Sequence, residues 1–223
     1  MLLAGVDEAG RGPVLGPLVI AGVVLHQDDL PNLVEQGLAD SKKISPELRE
    51  KLFDQIMAKV IDYKIVIIKA EEIDAKRISA ENLNKIEINT MIEILSQIKD
   101  WSTAYVDACD ANAEKFQLTL RNNINHNIIA EHFADQKYPV VSAASILAKV
   151  TRDREIEKAH IEFNYDFGSG YPNDPKTIRF LVDYFAKHRE LPIIARKSWE
   201  TAKKIIRENE QSNIDAFFKE TQK

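Results

Sequence analysis

Two adjacent carboxylates, Asp7 and Glu8, close an otherwise apolar run, Leu2-Leu3-Ala4-Gly5-Val6. A buried strand that ends in two acids is destabilised unless something compensates. Asp107 repeats the arrangement at the end of Ala104-Tyr105-Val106. If the two strands are neighbours, Asp7 and Asp107 stand side by side. Carboxylates so placed repel unless one is protonated or a cation bridges them. Neighbouring strand residues point to opposite faces, so Asp7 and Glu8 reach one ion only where the strand ends or twists. Ala9-Gly10 permits that. Oxygen ligands without Cys or clustered His select Mg²⁺ or Mn²⁺ over Zn²⁺. Taken singly, each acid reads more readily as a strand-end residue that caps a turn or pairs with Lys or Arg.

Other chemistry-bearing residues offer less. Asp110 reads as the start of a helix, and Asp153 lies inside the charged stretch Arg152-Asp153-Arg154-Glu155. The five histidines show neither HxxxH nor HExxH spacing, and the single cysteine, Cys109, makes neither an internal disulfide nor a thiolate zinc site by itself. A strand followed by Gly10-x-Gly12-x-x-x-Gly16 imitates a dinucleotide loop, but the spacing is wrong. The next element reads as a strand, where a dinucleotide loop must open a helix. Glycines there suit a loop whose backbone approaches something closely.

The elements that must position these residues alternate between strand and helix. Strands are expected over Leu2 to Glu8, Leu18 to Leu25, Tyr63 to Ile68, Thr103 to Val106 and Asn127 to Ala130. Ser45-Pro46-Glu47 reads as a helix start with Pro in the first turn, opening a helix to about Ile61. Further helices are expected over Glu81 to Ile98 and Ala113 to Asn122. Beyond Val141 the texture is helical: Ser142 to Phe163, Pro175 to His188, Ser198 to Asn209 and a short segment over Ile214 to Lys219. This order implies an α/β fold, a mixed sheet with helices packed on it and a helical C-terminal extension.

A chain of 223 residues buries enough surface to fold without metal or disulfide staples. With 44% hydrophobic and 29% charged residues it is neither fibrous nor disordered. No apolar run is long enough to span a bilayer, and Val14 to Leu25 is broken by Gly16, Pro17 and Gly22. A single cysteine and no signal peptide imply a cytoplasmic protein, expected to be a monomer. The net charge of −5 weighs mildly against a polyanionic partner, yet it is unevenly spread. Residues 1–137 carry 15 basic and 22 acidic side chains, whereas 176–207 carry 9 and 3. An acidic body with a basic stretch can hold a polyanion if the stretch faces it and cations screen the acids. A solvated helix face accounts for the same charges equally well.

The motifs converge on one family. Asp7-Glu8-Ala9-Gly10-Arg11-Gly12, Asp40-Ser41-Lys42-Lys43 and Tyr105-Val106-Asp107-Ala108 come first. Ala134-Asp135 then precedes Tyr138-Pro139-Val140-Val141-Ser142-Ala143-Ala144-Ser145-Ile146, and Ala148-Lys149-Val150-Thr151-Arg152-Asp153 and Gly168-Ser169-Gly170-Tyr171-Pro172 follow. In this order, over nearly the whole chain, they resemble ribonuclease HII, the type 2 ribonuclease H family, in its short archaeal form. The resemblance implies a ribonuclease-H-like α/β core over 1–140. A helical part over 141–209 would complete the substrate cleft, and 210–223 would form a tail. It implies an endonuclease that hydrolyses the RNA strand of RNA–DNA hybrids and cuts 5′ of ribonucleotides embedded in DNA, leaving 3′-hydroxyl and 5′-phosphate ends. The family's four acids fall on Asp7, Glu8, Asp107 and Asp135, which would hold two divalent cations, Mg²⁺ or Mn²⁺. Its ribose-reading groups fall on Gly10, Arg11, Gly12 and Tyr171. Lys42 is expected to contact phosphate, and Lys149 and Arg152 either to do so or to pair with helix neighbours. A duplex-binding module on the same fold, without catalysis, is the competing expectation; four intact acids speak against it.

The C-terminal string Gln211-Ser212-Asn213-Ile214-Asp215-Ala216-Phe217-Phe218 resembles the sliding-clamp-binding box of replication proteins. One helical turn would set Ile214, Phe217 and Phe218 on one side as an apolar plug, with Gln211 beside it. The same stripe could instead pack on the chain's own body.

Overall fold

The computed structural model describes residues 1–38 and 44–209. The run Leu18–His26 (β2) is apolar through Leu25 and buried on both sides, as a strand covered by helices on both faces must be. It pairs antiparallel with β1 (Leu2–Ala9) on one edge and β3 (Asp62–Ile68) on the other. Beyond β1 lie β4 (Thr103–Asp107) and β5 (Asn127–Glu131), both parallel to their neighbours. The sheet order is β3-β2-β1-β4-β5. The expected mixed sheet is therefore present, and β1 and β4 are adjacent.

The helices are α1 (Leu30–Glu35), α2 (Pro46–Met57), α3 (Ala70–Ile78), α4 (Leu83–Gln97), α5 (Ala113–Asn123), α6 (Ala134–Lys137), α7 (Pro139–Phe163) and α8 (Pro175–His188). Residues 200–209 are also helical. Ser45 caps α2 by accepting from the Leu48 N–H, as its Ser-Pro-Glu start implied. Three of these helices, α1, α3 and α6, had no counterpart in the expected order. The short segment expected over Ile214 to Lys219 lies outside the described residues.

The described chain forms two compact units. The first comprises Met1–Arg11, Leu18–Ile68 and Glu81–Arg154. Its core gathers Val19, Ala21, Val23 and Leu25 of β2 with Val140, Val141, Ala144 and Leu147 of α7. Two glycines set how closely helices approach the sheet. A Cβ on Gly5 would lie 2.1 Å from the Val140 carbonyl oxygen, so the start of α7 rests on the β1 backbone itself. A Cβ on Gly22 would lie 2.3 Å from Ile94 of α4. Gly5 is paired with Val23 and Gly22 with Val6, so the two glycines face opposite sides of the sheet. Thus α7 covers the face of odd-numbered β1 residues and α4 the face of even-numbered ones.

The second unit comprises Gly12–Pro17, Lys69–Ala80 and the residues from Glu155 onward. Its core is aromatic: Phe167, Phe180 and Phe185 pack with Leu15, Leu181 and Leu191. Asp74 of α3 accepts from the Lys197 and Ser198 N–H groups at 2.7 and 3.0 Å, just ahead of the helical residues 200–209. Among the described residues no helix is long and apolar enough to cross a membrane.

Candidate active site

The carboxylates collect at the C-terminal ends of β1 and β4. Val6 is level with Val106 in the parallel ladder, so Asp7 and Asp107 are the next residues on adjacent strands. Alternation along β1 sends Asp7 toward α7 and Glu8 toward α4. Each acid meets the helix on its own side. Asp7 is 4% exposed, and its Oδ1 accepts from the Glu8 N–H at 2.8 Å. Burial, then the charges of Glu8 and Asp107, push the Asp7 carboxyl well above the ordinary range. Ser145 and Lys149 of α7 pull it the other way. The buried Ser145 hydroxyl makes no well-aligned hydrogen bond of its own.

Glu8 is pushed up to about 8 by burial, then by Glu87 and Asp107, while Arg11 opposes. Its Oε2 atom is buried without a hydrogen-bond partner. A desolvated carboxylate oxygen among like charges is the donor a hard cation matches. The residues present therefore fit Mg²⁺ or Mn²⁺. Among the described residues, no three Asp, Glu, His or Cys side chains close around a single point.

Asp107 and Asp135 are joined through the backbone. Phe133 adopts a left-handed conformation, φ 59° and ψ 36°. The chain turns there, and the Ala134 N–H at the start of α6 donates to Asp107 Oδ1 at 2.8 Å. Asp135, 6% exposed, is the next residue. Its carbonyl accepts from the Ser142 hydroxyl, tying α6 to α7. Non-glycine residues rarely adopt such a conformation. Here it places an acid distant in sequence within one residue of a group bonded to Asp107.

The glycine turn follows β1 directly. Gly10 has φ 90°, a conformation that strains any residue with a Cβ. Arg11 turns its guanidinium inward, donating through one terminal nitrogen to Glu87 and through the other to Asn84. In the second unit, a Cβ on Gly12 would sit 3.5 Å from the Tyr171 ring, so the two residues are in contact range. Tyr171 is 39% exposed. The loop before it is braced: Gly170 O accepts from the Val14 and Leu15 N–H groups at 2.9 and 3.1 Å, and Ser169 is held by Asp174 at 2.8 Å.

Lys42, Gln211, Ile214, Phe217 and Phe218 lie outside the described residues. Lys149 faces Asp7 electrostatically, and Arg152 is buried. Asp110 accepts from the Asn112 N–H at the start of α5, and Asp153 pairs with Arg49 at 2.9 Å, so both are structural as expected. The basic stretch 176–207 is less free than its composition implies. Lys176 is paired with Asp166, Lys203 and Arg207 with Glu200, and Lys204 with Glu208. Arg196 is wholly buried, its Nε donating to the Gly16 carbonyl at 3.0 Å.

Glu87 was missed. It lies wholly buried on α4, beside Arg11 and close enough to act on Glu8 and Cys109. Burial, then Glu87 and Glu8, push the Cys109 thiol upward, which keeps it protonated and unreactive. The signal was present: Glu87 precedes Met91 by four and Ile94 by seven, on the apolar stripe of α4.

Comparison with known proteins identifies the family. The family model described as ribonuclease HII matches residues 4–202. A ribonuclease HII of Pyrococcus abyssi is 45% identical over 224 residues, covering 98% of both chains. The solved ribonuclease H2 of Pyrococcus horikoshii OT3 superposes with a TM-score of 0.87 at 41% identity, covering 93% of this chain and 98% of that one. A ribonuclease HII of Archaeoglobus fulgidus, solved as a PCNA:RNase HII complex, gives a TM-score of 0.82 at 40% identity, covering 90% and 96%. The chain belongs to the ribonuclease HII family, and it is a metal-dependent endoribonuclease of the type 2 ribonuclease H class.

Proposed function

We propose that this endoribonuclease hydrolyses the RNA strand of RNA–DNA hybrids and incises 5′ of ribonucleotides embedded in duplex DNA, leaving 3′-hydroxyl and 5′-phosphate ends. Asp7, Glu8, Asp107 and Asp135 are assigned to two divalent cations, Mg²⁺ or Mn²⁺. The observation that carries this is the gathering of carboxylates at the ends of β1 and β4, with Asp7 buried and the Asp7 and Glu8 carboxyls both pushed upward by burial and by neighbouring acids. When bound, the cations supply Lewis-acid activation of the attacking water and stabilise charge on the departing 3′ oxygen. The chain's own contribution is position. β1 and β4 carry Asp7, Glu8 and Asp107 at adjacent strand ends, and Asp135 follows Ala134, whose N–H donates to Asp107. Apolar packing of α7 and α4 lowers the local dielectric and strengthens each charge's pull on a cation.

Selectivity for ribose is assigned to the peptide groups of Gly10, Arg11 and Gly12 and to Tyr171. The 2′-hydroxyl is both donor and acceptor, so backbone N–H and C=O groups suit it. Tyr171 offers an accessible ring to pack on a neighbouring sugar. Lys42 is assigned to phosphate. The tail residues Gln211, Ile214, Phe217 and Phe218 are assigned to a sliding clamp; the Archaeoglobus relative's complex with PCNA supports this.

The test is cleavage of a duplex with one internal ribonucleotide, with Mg²⁺ or Mn²⁺, by wild type, Asp7→Asn and Tyr171→Phe. Cutting 5′ of the ribonucleotide by wild type, none by the first variant and reduced selectivity in the second are expected. Tight hybrid binding by wild type without cutting would establish the duplex-binding module instead. Clamp pull-down that survives Phe217→Ala with Phe218→Ala would remove the tail assignment.

A further inference from the structure

We propose that Glu87 is a positioning residue for the Gly10-Arg11-Gly12 turn. With Asn84 it locks the Arg11 guanidinium against α4, so the turn presents backbone, not a cationic side chain, to the substrate. The inference rests on the assignment of that turn to ribose recognition and names what holds it in place.

A lone arginine in a loop of a nucleic-acid enzyme is ordinarily taken as a phosphate contact, since its planar fork matches phosphate oxygens. The geometry here directs it elsewhere. One terminal nitrogen donates to Glu87 Oε2 and the other to Asn84 Oδ1. Glu87 is wholly buried, so its charge has little access to water, and Arg11 supplies the compensating cation.

The partners are themselves fixed. Asn82 caps α4 by accepting from the Lys85 N–H at 2.9 Å, which sets the first turn. Asn84 and Glu87 are three apart and share one helix face. Asn84 also donates to Asp110 at 2.9 Å, and Asp110 accepts from the Asn112 N–H at 3.0 Å. The turn after β1 is thus tied through Arg11 to α4 and onward to the start of α5. Gly10, with φ 90°, has no side chain to brace it. Arg11 is therefore the side chain through which the turn's first half is anchored to α4.

The experiment uses full-length protein with Mg²⁺. Cleavage of a duplex with one ribonucleotide is followed over a series of NaCl concentrations, with an all-DNA duplex of the same sequence as competitor. The variants are Arg11→Met, Glu87→Met, the double variant carrying both, and Glu87→Gln. Either Met substitution leaves one partner unmatched and is expected to lower the melting temperature more than the double does. The double variant removes both charges and remains measurable if a single one fails to fold.

For the double variant, the slope of log KM against log salt is expected to match wild type. The preference for the ribonucleotide duplex over the DNA competitor should fall, by up to about a hundredfold as for a misplaced positioning group. Glu87→Gln, which keeps an acceptor, should retain more of it. A slope reduced by about one would mean Arg11 had been holding a phosphate, and would overturn the proposal. So would an unchanged ribonucleotide preference, or melting shifts that simply add. Wild type that cuts without regard to ribose would instead overturn the functional assignment, while the melting cycle would still report the clamp.

Discussion

Glu8→Gln should make the metal-free protein more stable, and by an amount that depends on pH. Glu8 is pushed up to about 8 from an ordinary value of 4.5, by burial and by Glu87 and Asp107. Between those values the folded state holds a proton that the unfolded state releases. Stability therefore falls as pH rises from about 4.5 to about 8. Glutamine resembles the protonated carboxyl at every pH and escapes that fall. At pH 7 the interval above 4.5 is about 2.5 pH units, which at about 1.4 kcal/mol each corresponds to about 3 kcal/mol. For a chain of this size that is about 6–12 °C in melting temperature. The difference should vanish near pH 4.5 and reach its maximum above pH 8. Melting curves in EDTA across pH 4.5–8.5 measure it. Adding Mg²⁺ should narrow the gap, since a ligand that binds the folded wild type stabilises it by mass action. A gap that stays constant across this range, or a variant less stable than wild type at pH 8, would refute the account of Glu8 as a buried acid held among like charges.

Asp107→Asn should abolish cleavage, and it should leave α6 docked because the amide oxygen still accepts from the Ala134 N–H; activity assays beside circular dichroism check both. Gly5→Ala should destabilise by about 3 kcal/mol or more, since the new Cβ falls 2.1 Å from a backbone oxygen that cannot swing away, and a denaturant midpoint shift measures it. Gly12→Ala should melt close to wild type, because its Cβ meets the Tyr171 ring at an ordinary 3.5 Å, while kcat/KM on a ribonucleotide-containing duplex drops; equal activity would mean that no close backbone approach occurs there.

The carboxylates of β1 and β4 were legible because a charged residue closing an apolar run is conspicuous and the adjacency of the two strands could be posed as a question. Asp135 was not legible in that way. It sits on a four-residue helix with no periodicity to announce it, and only its resemblance to a family motif pointed to it. The helix α3 was missed for a related reason. Within it only Ala70 and Ile73 are buried, and its anchor, Asp74, bonds to residues more than 120 positions away.

From the order of residues alone followed the alternating elements, the mixed sheet, the acidic strand ends and the family they resemble. These rest on local periodicity and short strings, which a linear chain displays openly. The tertiary structure alone decided that Asp7 faces α7 while Glu8 faces α4, and that Glu87 is buried against Arg11. Each of these depends on which face of one element meets another, and contact across tens of residues leaves no mark in the spacing along the chain.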